Sequence, residues 1–232
     1  MSDFIFPVAT QPAIPVIGET ARYAVRRIFC VGRNYAKHAA EMGYEADRDA
    51  PFFFTKSAHM TCASGSTIPY PPGTEDFQYE MELTVAIGAP LFRATPAQAA
   101  QAIYGYGCGL DMTRRDLQIK SREIKRPWTF GKDVENSAVF APLTKAADFG
   151  AIGDQRIFLD VNGQRKQSST LDLMIHAVPD VMAYLSGFYH LDAGDVIMTG
   201  TPEGVGPVVA GDVITGGIDG LSPVSLRVTQ AE

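Results

Sequence analysis

The sequence predicts a β-rich α+β domain, and three observations predict it. Residues 79–87, Tyr-Glu-Met-Glu-Leu-Thr-Val-Ala-Ile, alternate with a period of two, the signature of a strand. Glycine (22) and proline (15) are plentiful, which implies many tight turns between short elements. Asn162-Gly163 lies between two strand-like runs, 157–161 and 165–168, and is a two-residue hairpin signal.

Taken in order, residues 1–24 carry Pro7, Pro12 and Pro15 between apolar positions and read as an extended arm over the body or a partner subunit. Residues 25–232 read as a single domain. Residues 26–31 form a short buried strand ended by Gly32, and a helix follows over 33–43, with Asn34 as its cap and Gly43 as its terminator. An aromatic strand covers 51–56, and a proline-rich passage leads to the 79–87 strand. Thr95-Pro96 starts a helix with proline in the first turn. The glycine-rich run 106–111 suggests close backbone packing and ends on Asp111. Thr113 is placed to cap a helix over 114–123, which sets Arg115 and Gln118 on one face. Residues 126–133 read as a loop or strand edge. Apolar spacing over 171–185 predicts a helix kinked at Pro179, and strands are expected at 195–199, 213–218 and 222–229.

With 232 residues, 46% of them hydrophobic and 20% charged, the chain has enough material for one sizeable core. A net charge of −6 argues against a nucleic-acid surface. No run of eighteen apolar residues and no basic leader is present, so the expectation is a cytoplasmic protein without a membrane segment, acting on small molecules. Cys30, Cys62 and Cys108 are odd in number and widely spaced, as buried free thiols in a reducing compartment would be.

The chemistry is concentrated in a few positions. On an alternating strand Glu80 and Glu82 share a face, and like charges so placed repel unless water or a cation separates them. At ~4 Å that repulsion is about 1 kcal/mol in water and about 4 kcal/mol at an effective dielectric of 20. Hard divalent cations favour such carboxylates, and Asp111 from a neighbouring strand would complete a three-oxygen set. On pattern alone the pair also fits a solvated strand face, and Asp111 also fits a helix cap. His38 and Glu41, three apart on a helix, can act as a base with an oriented imidazole, or stand as an incidental surface pair. Arg115, Gln118 and Lys132 suit a substrate carboxylate or enolate oxygen, although solvated helix positions would read the same way. The turn 200–206 lacks the endings of a phosphate loop; it suits a carboxylate met by backbone N–H groups and the Thr201 hydroxyl.

Six stretches in consistent order resemble the fumarylacetoacetate hydrolase family: Val31-Gly32-Arg33-Asn34-Tyr35; His38 with Glu41; Tyr79-Glu80-Met81-Glu82; Leu110-Asp111-Met112-Thr113 with Arg115-Asp116-Leu117-Gln118; Pro127-Trp128-Thr129-Phe130-Gly131-Lys132; and Thr199-Gly200-Thr201-Pro202-Glu203-Gly204-Val205-Gly206. The resemblance runs from about Arg26 to the C-terminus and is strongest to the short, single-domain acylpyruvases of bacteria. It implies a mixed β-sandwich roll and a homodimer. It also implies Mg²⁺ or Mn²⁺, with Ca²⁺ a further fit, on Glu80, Glu82 and Asp111. His38 and Glu41 would sit on a lid over residues 34–47 and activate water. Lys132, Arg115, Gln118 and Thr201 would surround the α-keto acid end of a 2-oxo acid substrate, with Arg33 and Tyr35 also substrate-binding. The implied activity is hydrolytic C–C cleavage of a 3-acylpyruvate such as fumarylpyruvate. Oxaloacetate decarboxylation, or tautomerisation, isomerisation or hydration of a 2-oxo acid, would use the same site, and a non-catalytic metal-binding β-domain is the alternative of a different class. Two departures stand out: Ser57 follows Lys56 where relatives often carry proline, and Arg114 is bulkier than its usual counterpart.

Overall fold

The computed structural model describes residues 4–43 and 50–232. Its largest sheet runs in the order Phe52–Lys56, Arg27–Gly32, Asp195–Met198, Met81–Ile87, Ile103–Asp111, Ala138–Phe140, Thr61–Ala63. Two of its pairings are parallel, Asp195–Met198 with Arg27–Gly32 and Ala138–Phe140 with Thr61–Ala63, and the others on that path are antiparallel. A second sheet orders Gln164–Thr170, Arg156–Val161, Val213–Ile218, Val224–Thr229 and Ser66–Pro69. This is the β-rich α+β architecture, a mixed sandwich roll, that the sequence announced.

The two sheets enclose one core. Met81, Leu83, Val85 and Ile87 pack with Cys108, Leu110, Ile157, Leu159, Ile214 and Leu226, the inward residues of both sheets. The opposite face of the large sheet is also covered. Ile28, Cys30, Ala86, Val196 and Met198 pack there with Ile14, Val16 and Val25 from the start of the chain. The arm is therefore not simply extended: Ala13–Pro15 pairs antiparallel with Arg22–Ala24, while Ile5 and Phe6 remain exposed. All of Met81–Ile87 is buried, which rules out the solvated strand face.

Several local expectations are corrected by tertiary partners. The first helix spans Ala36–Glu41 and is not capped by Asn34. Asn34 is fully buried, donates to the His176 and Thr199 carbonyls and accepts from the His176 N–H, a set of bonds that a helix cap would forgo. Thr113 likewise does not cap the Arg115–Glu123 helix; its hydroxyl donates to the Asp111 carbonyl. No single helix covers 171–185: Leu171–Leu173 is one 3-10 turn, and Val178–Ser186 is a separate helix with proline in its first turn. Pro179 begins that helix rather than kinking it. Thr129–Lys132 is a helical turn, not a loop or strand edge. Residues 44–47 of the expected lid lie outside the described residues. Among the described residues no helix is long and apolar enough to cross a membrane.

Candidate active site

Strand register brings the carboxylates together. Met81 pairs with Leu110 and Glu82 with Gly109, and the Asp111 N–H donates to the Glu80 carbonyl at 2.9 Å. Side chains directly across an antiparallel pair share a face. Glu80, Glu82 and Asp111 thus project the same way, and one oxygen from each lies within 4.8 Å of the others. The close approach depends on Gly109, where a Cβ would stand 2.5 Å from the Thr84 Oγ1.

All three carboxylates are buried, and cations surround them. Lys132 Nζ lies 2.6 Å from Glu80 Oε2 and 2.8 Å from Asp111 Oδ2. Arg115 pairs with the other Glu80 oxygen, and also bonds Gln118 and Gln78. Burial by itself would raise the Glu80 carboxyl, but Lys132, Arg115 and His38 together outweigh it and hold it well below the usual range. Glu82 behaves in the opposite sense. Burial, then the charges of Asp111 and Glu80, push its carboxyl well above the usual value, Lys132 and the Gly200 N–H opposing only in part. Lys132 is also buried, yet the charges of Asp111 and Glu80 outweigh that and raise its pKa.

These residues fit a hard divalent cation. Asp111 Oδ1 is buried and accepts no hydrogen bond among the described residues, although Lys56 Nζ stands 2.9 Å away. The Lys56 protons go instead to the Met112 and Lys132 carbonyls and to Ser137 Oγ. A carboxylate oxygen that accepts no hydrogen bond, beside a Glu82 carboxyl raised by burial and the crowding of like charges, is a hard oxygen-donor set of the kind such a cation takes. Glu80, Glu82 and Asp111 would hold such an ion.

A cleft opens over this cluster. It is lined by Arg33, His38, Glu80, Glu82, Arg115, Gln118, Lys132 and Thr201, with apolar walls from Phe54, Ile119 and Trp128. Of the residues singled out from sequence, Asp111, Glu41 and Tyr35 do not line it. Glu41 Oε2 lies 3.0 Å from His38 Nδ1, and its carboxylate also accepts from the Gly204 N–H at 3.1 Å. The imidazole is held by one nitrogen while its side chain borders the cleft. Tyr35 is a buried ring whose hydroxyl has no hydrogen-bond partner among the described residues; burial first, and Glu82 second, raise its pKa. Within the 200–206 turn, the Gly200 and Gly204 N–H groups are taken by the protein's own Glu82 and Glu41 carboxylates.

Three supporting side chains were not singled out by sequence reasoning. Lys56 and Ser137 brace the Lys132 turn, and Gln167 reaches the Thr201 turn from the second sheet. A signal for Lys56 existed: it shares the alternation of Phe54 at the end of an aromatic strand, in which it is the one buried side chain. The Ser57 departure also finds a use, since its N–H donates to Asp133 Oδ1 at 2.7 Å, a bond proline has no N–H to make.

The chain is also similar to known proteins along nearly its whole length. The family model for the fumarylacetoacetate (FAA) hydrolase C-terminal region matches residues 27–229. The chain is 50% identical over 194 residues to a fumarylpyruvate hydrolase of a Ralstonia species, covering 82% of this chain and 100% of that one. It is 40% identical over 206 residues to an oxaloacetate tautomerase of Escherichia coli, covering 88% and 94%. A crystal structure of fumarylpyruvate hydrolase from Pseudomonas aeruginosa in complex with Mn²⁺ and pyruvate superposes with a TM-score of 0.94 at 43% identity, covering 98% of this chain and 100% of that one. A chain with this sandwich roll, this buried acidic cluster and these likenesses along nearly its whole length belongs to the fumarylacetoacetate hydrolase family.

Proposed function

We propose that the protein hydrolyses a C–C bond in 3-acylpyruvates, fumarylpyruvate being the lead substrate, with a divalent cation held by Glu80, Glu82 and Asp111. The observation that carries the reading is one cleft bordered both by the acidic cluster and by His38, whose imidazole is bonded to Glu41. Half-identity to a fumarylpyruvate hydrolase over the whole of that protein supports the substrate class. When bound, Mg²⁺ or Mn²⁺ would supply Lewis acidity toward the α-keto acid.

The chain's own residues do the rest. Arg115, Gln118 and the Thr201 hydroxyl bind the carboxylate end of the substrate and fix its direction in the cleft, with Arg33 at the rim. Glu41 orients His38, which takes a proton from water as that water attacks the ketone distal to the pyruvate unit. The C–C bond then breaks, the acyl part leaves as a carboxylic acid, and the pyruvate part leaves as an enolate that takes up a proton. The Lys132 ammonium faces the developing negative charge. A positioned base is worth about 10² to 10⁴-fold, and one charge-stabilising donor roughly 10²-fold or more.

A second reading, keto–enol tautomerisation of oxaloacetate, is favoured by the 40% identity to the Escherichia coli tautomerase. It uses the same carboxylate site and base without water attack. Purified protein is assayed with fumarylpyruvate, acetylpyruvate and oxaloacetate, each with and without chelator. Release of pyruvate from the acylpyruvates, abolished by chelator, supports hydrolysis; enol conversion of oxaloacetate with no such release selects the second reading. We also propose a homodimer, supported by the exposed apolar Phe130 and Ile124 beside the Lys132 turn, with sedimentation as the check.

A further inference from the structure

Gln167 is the one fully buried residue of the strand Gln164–Thr170, whose other side chains are exposed or half-buried. A bulge places it. Leu159 pairs with Gln167 and Asp160 with Arg165, which leaves Lys166 unpaired and turns the Gln167 amide toward the large sheet. Gly204 packs against this bulge so closely that a Cβ would stand 2.2 Å from the Lys166 carbonyl oxygen, and its φ of +92° is one that side-chain-bearing residues rarely adopt.

The amide makes three bonds. The Met81 N–H, between Glu80 and Glu82 in the chain, donates to Gln167 Oε1 at 3.0 Å. Gln167 Nε2 donates to the Pro202 carbonyl at 2.8 Å and to Thr201 Oγ1 at 2.8 Å. Two of these partners have fixed polarity: a peptide N–H only donates, and a carbonyl only accepts. The amide therefore has one orientation, and the Thr201 oxygen is obliged to accept. A hydroxyl that accepts from an amide still carries a proton to donate, and Thr201 is buried at the wall of the cleft.

We infer that Gln167 is a positioning residue: it fixes the Thr201 hydroxyl as a donor into the cleft, toward the substrate's carboxylate, while pinning the Glu80–Glu82 segment through Met81. The inference rests on the proposed binding of an α-keto acid and deepens it, assigning the direction of one hydrogen bond. Without the Gln167 donor, the Pro202 carbonyl is left unpaired and competes for the Thr201 proton, turning the hydroxyl away from the ligand.

The test is a double-mutant cycle read by pyruvate affinity, measured calorimetrically with Mn²⁺ present, alongside Mn²⁺ affinity and thermal unfolding. Thr201→Val weakens pyruvate by about tenfold or more, the scale of a hydrogen bond to a charged group, while Thr201→Ser retains binding. Gln167→Glu, which keeps an acceptor for the Met81 N–H but offers Thr201 no donor, produces a similar loss with Mn²⁺ affinity preserved, and adding it to Thr201→Val produces little further loss. Gln167→Met, which also removes the Met81 acceptor, serves where the glutamate variant does not fold, and it weakens Mn²⁺ as well as pyruvate. If the Gln167 and Thr201 losses multiply, or Gln167 variants bind pyruvate normally while Thr201→Val does not, the positioning role is overturned. If Thr201→Val itself binds pyruvate normally, the carboxylate assignment of the site fails instead, and this inference falls with it.

Discussion

Asp111 lies directly across the sheet from Glu80, its N–H donating to the Glu80 carbonyl at 2.9 Å, and Lys132 Nζ spans their two carboxylates. This pairing converts a strand register into a site for charge. A slip of one residue would send Asp111 to the other face of the sheet.

Asp111→Ala and Glu82→Ala are expected to abolish metal-dependent turnover and to weaken Mn²⁺ by more than the ~10–100-fold typical of losing an outer partner. Calorimetric titration of Mn²⁺ checks both. Normal affinity in either variant would remove that residue from the ligand set. Asp111→Ala also leaves Lys132 with one anionic partner where it had two, so a lower melting temperature is expected for it.

His38→Ala is expected to leave pyruvate and Mn²⁺ binding intact and to lower kcat on an acylpyruvate by about 10² to 10⁴-fold. Steady-state kinetics beside a binding titration separate the two effects. A variant that retains full kcat overturns the assignment of the base.

Adding Mn²⁺ or Mg²⁺ to chelator-treated protein is expected to raise its melting temperature. Binding to the folded state alone stabilises by about 2.7 kcal/mol at a hundred times the dissociation constant. For a chain of this size that is several degrees, and Glu82→Ala should abolish the shift. Scanning calorimetry with and without the ion provides the measurement.

The three thiols are expected to be unreactive in the folded protein. Burial is the first cause at each: it pushes Cys108 up to about 12, and raises Cys30 and Cys62 as well. Because the folded pKa lies above the unfolded one, this contribution to stability is fully present below about pH 8.5 and is lost as pH rises toward the folded value. A colorimetric thiol reagent at pH 8 should therefore label no cysteine before denaturant is added and all three afterwards. Prompt labelling of the native chain would contradict their burial.

The site was legible in part, and the division follows distance along the chain. Glu80 and Glu82 sharing a face, and His38 reaching Glu41, are consequences of periods of two and of 3.6, which act between neighbours. Thr95-Pro96 also started a helix as expected, with the Thr95 hydroxyl accepting from the Gln98 N–H in a capping box. Asn34 and Thr113 have the same local chemistry, yet neither caps, because buried carbonyls far away in sequence or across a tight turn claim their side chains first. Gln167 gave no signal at all. Its strand reads Gln-Arg-Lys-Gln-Ser-Ser-Thr, with no apolar alternation to say which side faces inward, and only the bulge at Lys166 decides it.

The sequence by itself determined the β-rich class, the hairpin at Asn162-Gly163 and the residue types of the site, since backbone propensity, side-chain period and carboxylate chemistry belong to each residue and its neighbours. The tertiary structure alone decided that Asp111 stands beside Glu80, that Lys132 and Arg115 neutralise that pair while Glu82 stays raised, and that Gln167 reaches Thr201. Those facts depend on register between strands and on the exclusion of water, which exist only once distant segments have packed.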